Sequence, residues 1–221
     1  MGWGSLREQF RSRFNKGDYI DTEEKEEWLN CEQAYKQIID FGEYKVGKTE
    51  NGEYELLKDN TLVSAFSEAL MEEGRILFPL SHGMLLEISE SGARKILTPE
   101  KAELCGLIAA EGSLYPYERK VHNQIFFHSV DMEIIERHIE LFKKVYGVTP
   151  HIYQGKGEFI AGIKNKEAYY DLREIGVKTG PYRYHVPIEH LDEKGSKAYL
   201  KGFSQETGVL YNMGNMPLNF E

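Results

Sequence analysis

Cysteine is nearly absent from these 221 residues, with Cys31 and Cys105 the only two. Two such residues build no disulfide framework, which fits a reducing compartment. No paired cysteines accompany His122, His128 and His185, whose spacing matches no zinc pattern, so a structural zinc site is not expected. Long apolar runs are missing as well. Nothing approaches the ~20 residues that span a bilayer, and the start Met1-Gly-Trp-Gly-Ser lacks a signal-peptide core. A cytoplasmic protein with no membrane partner is expected, or a nuclear or organellar one in a eukaryotic host.

An excess of basic charge is the third absence. The formal net charge is −9, whereas non-specific affinity for nucleic acid comes mainly from Lys and Arg on phosphates. The deficit is uneven. Residues 1–97 hold 12 Lys and Arg against 19 Asp and Glu, while residues 98–221 hold 15 against 17. The second part is therefore nearly neutral, and a local basic surface there is not excluded.

What is present is concentrated in residues 104–113, Leu-Cys-Gly-Leu-Ile-Ala-Ala-Glu-Gly-Ser. At helical spacing Ala102, Cys105, Gly106 and Ala109 form a stripe of small residues, and Leu104, Leu107 and Ile108 a larger apolar one. A helix that is apolar all round must be buried on all sides. The small stripe admits a second helix at short range, because no long side chain holds the backbones apart. Glu111 then falls at the helix C-terminal tip, where exposed carbonyls disfavour negative charge by roughly 0.3–1 kcal/mol. A carboxylate placed there is best explained by a cation.

The stretch is echoed downstream. At an offset of 96 residues Ala198, Leu200, Gly202, Phe203 and Gly208 stand opposite Ala102, Leu104, Gly106, Leu107 and Gly112. Between the copies lie two strand-like runs, 113–117 and 121–129, joined by Glu118-Arg119-Lys120. Ile125, Phe127 and Ser129 alternate with Phe126 and His128, a run partly buried on both faces. Asp131 caps a helix through Tyr146 closed by Gly147, with Ile134, Ile135, His138, Leu141, Phe142 and Val145 on its apolar face. Short strands 151–154 and 158–163 follow, split at a Gly155-Lys156-Gly157 hairpin tip. A helix over 166–175 ends at Gly176.

Leu104, Gly106, Leu107, Ile108, Ala110, Glu111 and Gly112 resemble the motif of the LAGLIDADG homing endonucleases, and the approach to residues 200–208 resembles that family's entry into its second motif. The resemblance covers residues 97 to about 211. It implies an α+β fold with an αββαββα repeat over 96–195 and a second motif helix in 196–221, preceded by a small α+β module of unknown role in 1–95. It implies site-specific hydrolysis of double-stranded DNA, with Mg²⁺ or another divalent cation held between two acidic helix tips, and the context of an intron- or intein-associated mobile element. Glu111 is the metal-binding, catalytic acid of this reading. Ala102, Gly106, Ala109 and Gly202 pack the helices, and Arg119, Lys120, Lys156, Lys164, Lys178 and Arg183 are candidates for DNA contact.

The second copy departs from the pattern. Thr207 occupies the position equivalent to Glu111, and Glu206 falls one residue early, about 100° around the helix. The second repeat is expected to be incomplete, and three accounts stay open: a truncated frame, a terminal helix on a single-repeat protein, or a decayed binder. The second account would allow a homodimer through helix 102–111, bringing two Glu111 tips together by two-fold symmetry. An intact intein is not expected, because the chain starts with Met1 and ends Asn219-Phe-Glu. The alternative to a nuclease is a non-cleaving nucleic-acid binder on the same fold, a maturase-like partner of intron RNA or a transcription regulator. Elsewhere a helix is expected over 23–41, turns at Gly47 and Asn51-Gly52, a short helix over 62–72, and a hairpin over 76–89 broken by Pro79 and His82-Gly83.

Overall fold

The computed structural model describes residues 35–59, 61–72, 74–115, 123–177 and 186–207, and of Tyr35, Lys36, Glu206 and Thr207 the backbone alone. These residues fall into two compact units, one ending at Ala69 and the other starting at Leu70.

The first unit is a four-stranded antiparallel meander of β1 (Tyr35–Phe41), β2 (Tyr44–Thr49), β3 (Tyr54–Lys58) and β4 (Thr61–Phe66). The Asn51-Gly52 turn joins β2 to β3 as expected: Gly52 takes φ +83 and its N–H donates to the Thr49 carbonyl at 3.0 Å. Three expectations fail here. Residues 35–41 are a strand and not the end of a helix; the remainder of that helix, 23–34, lies outside the described residues. Tyr35, Ile38 and Ile39 suit helical spacing, but Ile38 pairs with Gly47 and Ile39 with Val46 in the ladder. Gly47 accordingly lies inside β2 and makes no turn. Residues 62–72 are likewise no helix. They form β4 and, in the second unit, β5 (Leu70–Glu72), because the exposed positions Val63 and Ala65 alternate with half-buried Leu62, Ser64 and Phe66.

In the second unit β5, β6 (Arg75–Pro79), β7 (Met84–Ser89) and β8 (Gly92–Leu97) form another antiparallel meander. The β6–β7 hairpin matches the expectation, with its break at a 3₁₀ turn, Ser81–Gly83. Then follow α1 (Pro99–Glu111), β9 (Gly112–Tyr115), β10 (Gln124–Ser129), α2 (Met132–Tyr146), β11 (His151–Gln154), β12 (Phe159–Lys164), α3 (Lys166–Glu174) and α4 (Glu193–Thr207). The order α1-β9-β10-α2-β11-β12-α3 is the expected αββαββα arrangement, and the class is α+β. Its sheet runs β11-β12-β10-β9, antiparallel throughout.

Local chemistry explains each helix. Thr98 caps α1 by accepting the Lys101 N–H at 3.3 Å, with Pro99 at the first helical position. Asp131 accepts the Glu133 N–H at 2.8 Å to start α2, and Gly147 at φ +70 ends it. Asn165 caps α3 through the Ala168 N–H at 2.8 Å, and Asp192 accepts the Gly195 N–H at 2.7 Å as α4 begins. The core joins Leu104, Leu107 and Ile108 of α1 to Phe127 of β10, Ile135 and Phe142 of α2, and Leu172 of α3. Met84 and Leu97 of the preceding meander belong to the same core.

The sequence boundary near residue 95 therefore differs from the observed division at Ala69. The meander over 70–97 is fastened to the following helices: Arg75 pairs with Asp192 at 3.0 Å, Lys194 with Glu72 at 2.8 Å, and His190 Nδ1 meets the Lys95 carbonyl at 3.0 Å. Among the described residues no helix is long and apolar enough to cross a membrane.

Candidate functional site

The helix α1 is buried from Lys101 through Ile108, its charged residues at 101 and 103 included, and α4 lies against it. The contact is a backbone crossing. A Cβ at Gly106 would overlap the Tyr199 carbonyl oxygen and come within 2.9 Å of the Phe203 nitrogen. A Cβ at Gly202 would overlap the Glu103 carbonyl oxygen and lie 3.0 Å from the Leu107 nitrogen. Tyr199, Gly202 and Phe203 are Glu103, Gly106 and Leu107 displaced by the 96-residue offset. The two helices thus meet through equivalent positions, each presenting its glycine to the other's backbone. Gly195, in the first turn of α4, lies beside the Leu97 carbonyl just ahead of α1, so the helices run the same way. Each extends five residues past the crossing, roughly 7.5 Å of rise, and both C-termini emerge on one side.

The small stripe behaves as expected in burial. Ala102, Cys105, Gly106 and Gly202 are buried and Ala109 is half-buried. Burial pushes the Cys105 thiol up to about 12, which leaves it an inert packing group. Because α4 of the same chain occupies the glycine face of α1, a homodimer through helix 102–111 would have to displace it.

Two charges on α1 escape a reading by hydropathy. Lys101 is wholly buried and donates to Asp171 Oδ2 at 2.7 Å. Glu103 is buried between Arg137 of α2, at 2.9 and 2.7 Å to its two oxygens, and Lys201 of α4 at 2.9 Å. Burial works to raise the Glu103 carboxyl, but the hydrogen bonds from Arg137 and Lys201 outweigh it and hold the group below its ordinary range.

Glu111 stands apart from these. It is exposed and has no hydrogen-bond or ion-pair partner among the described residues. Neither α1 nor α4 carries a base in its last turn, whereas α2 has Lys143 and Lys144 there. Two negative helix ends on one side, one of them carrying the Glu111 carboxylate, make an electronegative corner. Among the described residues no three His, Cys, Asp or Glu side chains are grouped to cage a metal. One carboxylate at a helix end still fits a hydrated Mg²⁺, which takes one or two carboxylates and fills its octahedron with water and phosphate oxygens.

The β11-β12-β10-β9 sheet offers a second feature. Its helix-facing side buries Leu114, Ile125, Phe127 and Ala161. The opposite side carries Phe126 and His128 of β10, both half-buried, with Tyr115, Tyr153, His151 and Lys164 exposed around them. Of the basic candidates, Lys164 ends β12 on this side, and Lys156 is exposed at the β11–β12 hairpin tip, where the Gly155 N–H donates to the Glu158 carbonyl at 2.9 Å. Arg119, Lys120, Lys178 and Arg183, and the side chains of Glu206 and Thr207, lie outside the described residues. Sequence reasoning looked for basic residues and passed over Tyr153 and His151; the one available signal was the strict alternation along β10.

No family model matches the chain, and no curated protein does. Solved structures of the homing endonuclease I-DmoI are similar. A structure of its mesophilic variants and its complex with DNA and Mn each share 18% identity over 49% of this chain and 61% of theirs, with a TM-score of 0.41. Its complex with DNA and Ca shares 19% identity over 48% of this chain and 56% of that one, at 0.40. The chain spans about three-fifths of the length of these neighbours.

Proposed function

We propose that this chain binds double-stranded DNA in a sequence-specific way and hydrolyses it as homing endonucleases do, with Glu111 as the metal-binding acid. The observation that carries the proposal is the reciprocal crossing of α1 and α4 at Gly106 and Gly202, which sends Glu111 and the end of α4 out on the same side. Glu111 would hold Mg²⁺ or another divalent cation, with waters and phosphate oxygens as its other ligands. Such an ion stabilises charge on the attacked phosphate and the leaving oxygen and lowers the pKa of bound water. The open face of the β11-β12-β10-β9 sheet is the surface offered to the duplex, with Lys164 and Lys156 placed for phosphates.

A second reading, a non-cleaving nucleic-acid binder, is favoured by one feature. The crossing supports the 96-residue offset, and under it Thr207 stands where a second carboxylate would. A neutral hydroxyl is a weak metal ligand. The test is cleavage of a randomised duplex library with and without Mg²⁺, run beside Glu111→Gln. Specific Mg²⁺-dependent cuts that fall at least a hundredfold in the variant support the nuclease. Recovery of bound duplexes without cuts selects the second reading, and equal cleavage by both proteins removes Glu111 from the site.

A further inference from the structure

Rings cross the open face of the β11-β12-β10-β9 sheet from one edge to the other. Tyr115 on β9 meets Phe126 on β10 edge to face, with centroids 5.7 Å apart, and His128 follows along β10 at 6.5 Å from Phe126. The next strand contributes Gly162. A Cβ there would lie 2.8 Å from Phe126 Cε1 and 3.0 Å from Tyr153 Cε2, so the missing side chain is what lets rings from β10 and β11 close over β12. The band spans four strands, about 14 Å at the usual strand spacing, close to the ~12 Å width of a major groove. Tyr115 is 47% and Tyr153 52% exposed. Contiguous aromatic surface left in water marks an interaction site.

Charge narrows what this surface recognises. Among the described residues Lys164 is the one Lys or Arg in the four strands, so the bidentate Arg or Lys contact that identifies guanine is lacking across most of the strand positions on this face. The major groove presents one apolar group to a ring, the thymine 5-methyl. Resting on the duplex-DNA reading above, we propose that Tyr115, Phe126 and Tyr153 read thymine methyl groups, so that the segment of target beneath this sheet is rich in A·T pairs.

The test uses the full chain. Duplexes are selected from a randomised library in Ca²⁺ buffer, and each thymine of a recovered site is replaced by uracil, which removes the methyl and nothing else. Thymine should be enriched under the sheet, and each contacted methyl lost should weaken binding about fourfold, the equivalent of one buried carbon. Phe126→Leu should retain the thymine-over-uracil preference and Phe126→Ser lose it at one position. Should the serine variant not fold, the uracil comparison with the unaltered protein decides alone. Recovered sites that are rich in G·C, or that bind equally with uracil, overturn this inference and leave the DNA-binding reading intact. Recovery of no duplex overturns both.

Discussion

Lys101 is fully buried, one turn into a helix whose next two turns carry only Glu103 as a charge, and it is tolerated because Asp171 reaches it. The same carboxylate oxygen accepts the Tyr146 hydroxyl at 2.6 Å, so the ammonium, the carboxylate and the phenol satisfy one another. His138 has no such arrangement. Both its ring nitrogens are buried without a hydrogen-bond partner, and the ring stacks on Phe127 with centroids 4.5 Å apart. Burial drives its pKa down from 6.5 to about 3. A folded-state pKa below the unfolded one gives stability that is whole above about 6.5 and is lost as pH falls toward 3, at up to about 1.4 kcal/mol per pH unit. His138→Phe keeps the stacking and removes the proton site. Urea midpoints measured from pH 7 to pH 4 should therefore fall more steeply for the natural chain than for the variant. Acid also weakens the pairs of Glu72, Glu100 and Glu103, whose carboxyls are held low, so only the difference between the two proteins reports on His138. His138 was legible as a core position from its spacing on α2, but its lack of partners was not, since that depends on β10.

At the scale of elements, the pairing of α1 with α4 sets the candidate site. Glycine in a helix interior ordinarily costs about 1 kcal/mol relative to alanine, so Gly106→Ala and Gly202→Ala would each stabilise an isolated helix. Here the added methyl meets the partner backbone, and separating two packed helices outweighs the propensity gain. Each substitution should lower stability by about 2 kcal/mol, read as a lower urea midpoint at unchanged m-value. The close approach was foreseen from the small stripe and from the echo 96 residues on, because both are patterns of side-chain size along one chain. The cap at Asp131 and the stop at Gly147 were readable for a similar reason: each is settled within four residues. Residues 35–41 and 62–72 misled because three or four apolar residues at helical spacing also fit a short strand. The choice lay with their ladder partners, Tyr44–Thr49 for β1 and Tyr54–Lys58 for β4.

For the molecule as a whole, the division at Ala69 makes the meander over 70–97 a part of the second unit. It supplies Met84 and Leu97 to the core and Arg75 to Asp192. A chain beginning at Leu70 should keep the second unit's thermal transition in calorimetry. One beginning at Thr98 should lose at least about 3 kcal/mol, since burying even two such side chains contributes 1.5–3 kcal/mol each. Equal transitions for the two would restore a boundary near residue 95. The sequence by itself determined the burial of most of α1, the carboxylate at its tip, the αββαββα order and the helix that answers α1, carried by composition, period and the repeat along one chain. Tertiary structure alone decided that Lys101 and Glu103 are buried, that α4 takes the face of α1 a second copy would need, and that rings line the open sheet. Those outcomes depend on which distant residue supplies the opposing charge, backbone or strand, and, the echo of α1 aside, no pattern within one segment names that partner.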